Sequence, residues 1–87
     1  MDIDSIKAGM KIKAIKGNAK PMAVGLCGTV IYNISGNFLV EFEKDINGHS
    51  GIIDGKIFRE LHYNCWLFNS IDSEFFEEYN TYKIELL

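Results

Sequence analysis

Two cysteines and two histidines are the residues of this 87-residue chain best suited to metal or nucleophile chemistry: Cys27, Cys65, His49 and His62. His62 and Cys65 stand three apart, a spacing that can hold zinc. A stable zinc site draws four such ligands, normally from two closely spaced pairs, and only one pair is present. Cys65 precedes Trp66 in the apolar run Cys65-Trp66-Leu67-Phe68, which suits burial as a small apolar residue. A catalytic thiol needs an imidazole within hydrogen-bond reach and an electropositive setting, and nothing in the sequence marks either. The expectation is no catalytic residue, no metal and no cofactor.

Other residue sets lead to equally plain readings. Glu41 and Glu43 share one face of an extended segment, and Glu77 and Glu78 are adjacent; no neighbour in sequence suggests a raised pKa, so both pairs read as solvated charge. Gly48, Gly51 and Gly55 lie in one stretch, yet no Lys-Ser or Lys-Thr follows to complete a phosphate cradle, and turn formation is the simpler use of these glycines. Lys7, Lys11, Lys13, Lys16 and Lys20 form a row that would touch phosphates, with Tyr32 available to stack on a base. The opposing reading makes Lys11 and Lys13 the wet face of a strand.

Charge favours that second reading. The whole chain carries -3 with a pI near 5.2, whereas proteins that live on phosphate backbones show a basic excess. Residues 1–20 are net +3 and residues 72–87 net -4. At 47% hydrophobic and 13% aromatic residues the chain can fill one core, and its length fits one domain spanning 1–87. The start Met1-Asp2-Ile3-Asp4 lacks a leader-like apolar stretch, and no run approaches the roughly 20 apolar residues that cross a bilayer. The expectation is a cytoplasmic protein with reduced thiols and no membrane association.

Most of the chain reads as short strands. Met10-Lys11-Ile12-Lys13-Ala14 alternates, with Met10, Ile12 and Ala14 inward. A loop follows through Gly17-Asn18, Pro21 and Gly25. Residues 26–33 and 38–42 flank Ser35-Gly36-Asn37 and give the strongest hairpin signal, with Phe38, Val40 and Phe42 on one face. Residues 43–64 lack period and form a long connection, a length that in a small domain marks a functional or mobile segment. Cys65–Phe68 reads as a strand with Trp66 in the core. Residues 71–79 read as a helical turn capped by Ser70 or Asp72, with Phe75, Phe76 and Tyr79 at helical spacing. Tyr82–Leu86 alternates and reads as the last strand. Five short strands cover each other's apolar faces best by curling into a small barrel.

The order of these residues resembles the SH3-like barrels. "KAGMKIKAIKG" is similar to their opening strand and "GLCGTVIYNISGNFLVEFEKDINGH" to their central hairpin. Within that group the chain resembles small proteins of phages and mobile elements that place a Gly-His pair in the long loop and a Cys-Trp pair on the next strand, here Gly48-His49 and Cys65-Trp66. It departs in having His62-Tyr63-Asn64 where a second Gly-His is expected. The resemblance implies a mainly β fold, a five-stranded SH3-like barrel with a long loop and one short helical turn. It implies no activity. By analogy with small phage proteins it suggests a stoichiometric inhibitor of a host protein, such as a defence nuclease of the CRISPR type.

The expected function is therefore protein binding. The contact residues would be Asp45, Asn47, His49, Asp54, Lys56, Phe58, Arg59, His62 and Tyr63, where large apolar residues and charge alternate as at interaction sites. Asp72, Glu74, Glu77 and Glu78 would add a secondary acidic surface that competes for a nucleic-acid-binding face on the partner. A homodimer contact would use the same physics. The alternative function is a nucleic-acid- or nucleotide-binding barrel that uses the lysine row.

Overall fold

The alternation of Lys11–Ala14 is realised as the first strand, β1, with Ile12 and Ala14 fully buried and the two lysines on the opposite face. The computed structural model describes residues 1–49, 52–53, 56–57 and 63–79 of the chain. β2 (Cys27–Ile34) and β3 (Asn37–Phe42) form the expected hairpin. Its two-residue turn, Ser35-Gly36, has φ of 56° and 79°. Two successive left-handed residues match the twist of the flanking strands, and glycine adopts that conformation at little cost.

The hairpin register is not uniform. Val30 faces Val40, but Tyr32 faces Leu39, so Ile31 is an extra residue in β2. Such a bulge bends the strand and increases its twist. Phe38, Leu39 and Val40 are all buried. Alternation alone would have left Leu39 on a wet face.

β6 (Cys65–Phe68) adds to the other side of β3, pairing Phe38 with Phe68 and Val40 with Trp66. A 3-10 turn (Ser70–Phe75) then carries the chain from that edge of the sheet to the opposite one. There β7 (Phe76–Glu78) pairs antiparallel with β1, Ala14 against Phe76 and Ile12 against Glu78. Among the described residues the result is one open sheet of five antiparallel strands in the order β6-β3-β2-β1-β7. Two further strands, β4 (Ile52–Ile53) and β5 (Lys56–Ile57), form a separate two-stranded ladder.

Four aromatic rings fill the space the sheet curls around. Phe38 stacks on Phe68 with centroids 5.4 Å apart and meets Phe76 edge-on at 5.4 Å; Phe68 meets Phe76 at 4.9 Å. Phe42 joins through Phe68 and Phe76. Ile6, Ile12, Ala14, Ala23, Val30, Val40 and Ile46 complete the cluster. None of the described helical segments is long and apolar enough to cross a membrane.

The structure corrects three expectations. Residues 71–79 are not one helical turn. The 3-10 turn ends at Phe75, and Phe76–Glu78 is the fifth strand of the sheet. Helical spacing of Phe75, Phe76 and Tyr79 was a local signal, and the unpaired edge of β1 overrides it. Trp66 is only partly buried; it packs against the core's margin, and Phe68 and Phe76 take the central place. The stretch after Phe42 is not wholly surface, since Ile46 is fully buried. The strand expected at 82–86 lies outside the described residues.

Phe38 touches two of the other three rings, so Phe38→Ala should lower the unfolding free energy by about 3–5 kcal/mol. Urea denaturation with an unchanged slope would check this.

Candidate functional site

A strand at the edge of a sheet exposes backbone donors and acceptors that must be covered or they invite other strands. The outer edge of β6 is covered by residues 46–49. Ile46 and Gly48 donate their N–H groups to the Tyr63 carbonyl at 3.3 and 2.7 Å, and His49 donates to the Cys65 carbonyl at 3.1 Å. His49 and Cys65 form an antiparallel bridge. The next donor on this edge, the Leu67 N–H, has no backbone acceptor opposite it among these residues. The His49 side chain accepts it instead, through Nε2 at 2.9 Å.

Gly48 is what lets the segment lie so close. A Cβ there would collide with the Cys65 carbonyl oxygen and stand 3.1 Å from that of Tyr63. The two dipeptides singled out in the sequence, Gly48-His49 and Cys65-Trp66, are thus halves of one clasp. The His49 ring lies 5.7 Å from the Trp66 ring. Burial pushes the His49 pKa below its ordinary value, and the Lys20 ammonium pushes it the same way.

Lys20 comes from the connection between β1 and β2. That connection and the one after β3 leave the same end of the sheet, as the pairs Lys13–Cys27 and Gly28–Phe42 require. Asn18 braces the first: its side chain donates to the Phe75 carbonyl at 3.1 Å and accepts from the Lys20 N–H at 2.9 Å. From there the Lys20 ammonium reaches over the face of Trp66, 4.1 Å from the ring centroid, and donates to the Asn47 carbonyl at 3.3 Å. A cation at that distance is attracted by the ring's negative face. The contact joins the two connections across Trp66. On the same connection as Lys20, Met22 is 57% exposed and Val24 39%, and Tyr63, whose carbonyl the clasp engages, is 57% exposed.

Of the contact residues expected from sequence, Asp45, Asn47, His49 and Tyr63 come together here. Asp45 and Asn47 are exposed, and Asp45 accepts the Asn47 N–H at 2.7 Å to shape the turn. The Lys56 backbone lies on β5, paired with Ile53. Asp54, Phe58, Arg59 and His62 lie outside the described residues. Sequence reasoning set Lys20 only in the lysine row, left Met22 and Val24 unassigned and placed Trp66 in the core. The signal was there: Met22 and Val24 are large apolar residues in a proline-containing loop that offers no strand to bury them.

The acidic segment does not form one surface. The Asp72 carboxylate accepts the Asn69 N–H at 3.1 Å and caps the 3-10 turn, with Asn69 rather than Ser70 at the cap position. Glu74 is exposed on that turn, while Glu77 and Glu78 are adjacent on β7 and so lie on opposite sides of the strand.

The lysine row is likewise dispersed. Lys11 lies across from Thr29, which faces Glu41, and its ammonium donates to the Thr29 hydroxyl at 2.7 Å. Lys13 sits between Cys27 and Glu77. An open groove of about 360 Å³ runs over this face, bordered by Lys11, Thr29, Glu41, Glu43 and Tyr79. Its charged residues are one lysine and two glutamates, unlike a phosphate-binding stripe.

Neither thiol is set up as a nucleophile. Cys65 is fully buried. Burial raises the Cys27 thiol above its ordinary pKa, Glu43 adds to this, Lys13 opposes it and Glu77 adds a little more. Among the described residues no three His, Cys, Asp or Glu side chains gather as a metal site. No family model, curated protein or solved structure matches the chain.

Two predictions test the clasp. Gly48→Ala should destabilise the fold by about 1–3 kcal/mol, read by thermal or urea unfolding, because the obstacle is backbone and cannot swing away. The His49 pKa, lowered from 6.5 in the folded chain, makes stability rise with pH. Its contribution is complete above 6.5 and fades as pH falls from there through the lower folded value. The wild-type unfolding midpoint should therefore drop more between pH 7.5 and 5.5 than that of His49→Gln, and the protection of the Leu67 amide, its exchange rate divided into the intrinsic rate at each pH, should fall in the acid.

Proposed function

We propose that this chain is a non-enzymatic protein-binding module on an SH3-like barrel, and that it meets its partner at the end of the sheet where the β1–β2 and β3–β4 connections converge on Trp66. The observation that carries this reading is the Lys20–Trp66–Asn47 contact, which draws the two connections into one surface. That surface combines exposed Met22, Val24 and Tyr63 with the rim charges of Glu43, Lys44 and Asp45. Apolar residues rimmed by charge are the mark of a protein contact, and Trp and Tyr are frequent anchors. The occupant is a protein segment carrying apolar and basic side chains, complementary to Glu43, Asp45 and the chain's net charge of -3.

Kinship with SH3-like barrels is supported by strand order: four strands in a meander, then a 3-10 turn that brings the last strand to the edge of the first. A cytoplasmic location belongs to the same proposal. The further role of a phage-encoded inhibitor of a host defence protein rests on the sequence resemblance alone. The nucleic-acid alternative loses support from the interleaving of Lys11 and Lys13 with Glu41, Glu43 and Glu77.

The test is partner capture followed by titration with the purified partner. Met22→Glu and Tyr63→Ala should each weaken binding at least tenfold with the melting temperature within a few degrees of wild type. Lys11→Glu with Lys13→Glu should leave it unchanged, and the affinity should fall only mildly with salt. Loss of binding in the lysine variant alone, with steep salt dependence, would instead establish the phosphate-binding alternative.

A further inference from the structure

The contact on Trp66 is a cation site already filled by the chain's own lysine. The ammonium of Lys20 has an aromatic face on one side, 4.1 Å from the centroid, and a carbonyl oxygen, that of Asn47, at 3.3 Å on another. These are the two elements that receive a side-chain cation at a protein contact, a π face for the charge and an acceptor for an N–H. His49 borders the ring with a lowered pKa, so it adds no positive charge that would repel a cation near neutral pH. Asp45 and Glu43, both exposed, stand on the same connection as Asn47.

Lys20 is only half-buried, and a lysine stem is flexible. Displacing it costs one exposed cation–π contact and one hydrogen bond, and water resolvates the released ammonium. The parts that hold it are fixed more firmly: Trp66 is paired to β3, and Asn47 belongs to the clasp on β6.

We infer that the Trp66 face with the Asn47 carbonyl is a recognition site for an arginine or lysine side chain of the partner, and that Lys20 is its built-in competitor. This rests on the protein-binding reading above and names the chemistry of the partner residue. An incoming guanidinium lies flat on the indole and donates to Asn47, while Lys20 swings out toward Asp45 and Glu43. Lys20 thereby sets a threshold: a ligand must outcompete an ammonium tethered beside the site. The apparent affinity is reduced by the fraction of molecules in which Lys20 is seated. An exposed cation–π contact of ordinary strength makes that reduction about 2–5-fold.

The probe is Nα-acetyl-arginine amide, titrated at constant ionic strength and followed by the fluorescence of Trp66, the chain's single tryptophan. The neutral control is Nα-acetyl-citrulline amide, nearly the same shape without the charge. Lys20→Met keeps the apolar stem and removes the ammonium. Saturable binding of the arginine probe is expected, weak in the wild type and about 2–5-fold tighter in Lys20→Met, with no comparable change for citrulline. Equal or weaker binding in Lys20→Met, equal response to both probes, or no saturable response in either protein would each overturn the inference. Amide spectra of Lys20→Met that overlay those of the wild type outside residues 18–22, 47–49 and 66 establish that its fold is intact.

The result separates from the fate of the protein-binding reading, because the probe needs no partner. If Met22→Glu abolishes partner capture but the probe never binds, the surface works through apolar contact and the cation site fails. If the probe binds as expected but capture is indifferent to Met22 and Tyr63, the cation site stands and the proposed docking surface fails.

Discussion

The outer edge of β6 is the constraint around which this molecule is organised. A five-stranded open sheet has two edges, and each presents backbone groups that water or another strand must satisfy. At the β6 edge the chain answers with its own residues 46–49, laid so close that position 48 has no room for a side chain. The last donor is met by an imidazole rather than by more backbone. That choice lets one residue, His49, meet the edge twice, through its backbone N–H and its ring. It also places Ile46 in the core and a histidine against Trp66. Everything proposed about the surface follows from this: the clasp fixes the Asn47 carbonyl, and the Asn47 carbonyl with Trp66 gives Lys20 its seat.

The core depends on the same geometry from the other side. Phe38, Phe42, Phe68 and Phe76 come from three strands, and they meet because β6 and β7, on opposite edges of the sheet, both curl toward the middle. The 3-10 turn between them is short, so the crossing leaves little slack. Its cap uses Asp72, and Asn18 anchors the β1–β2 connection to its last carbonyl. The loops that form the candidate surface are therefore tied to the elements that close the core.

What was legible in the sequence follows physical lines. Alternation and turn chemistry are local, and the strands at Lys11–Ala14, Cys27–Phe42 and Cys65–Phe68 were read within a residue or so of their ends. The strand at Phe76–Glu78 was not, because only the tertiary demand of the β1 edge makes those three residues extended. The bulge at Ile31 was equally invisible, and it accompanies the burial of Leu39 beside Phe38 and Val40. For the surface, the stretch after Phe42 was expected to supply the contact, and of its residues Asp45, Asn47, His49 and Tyr63 lie together. The partner they converge with, Lys20, lies on a different loop, and no pattern within one segment reveals a contact between two.

The pairing of β7 with β1 bears on how the chain is made. Ile12 meets Glu78, nearly the full described length away, whereas the β2–β3 hairpin closes through two residues. Loops that must close over long separations form slowly, and local hairpins form fast. During synthesis the hairpin can assemble as soon as it leaves the ribosome, while β1 waits with an unsatisfied edge until residue 78 emerges. Over that interval the nascent chain presents a strand edge backed by the apolar side chains of Ile12 and Ala14. Its exposure to chaperones or to aggregation depends on the speed of translation between the hairpin and residue 78 rather than on the strength of the finished sheet.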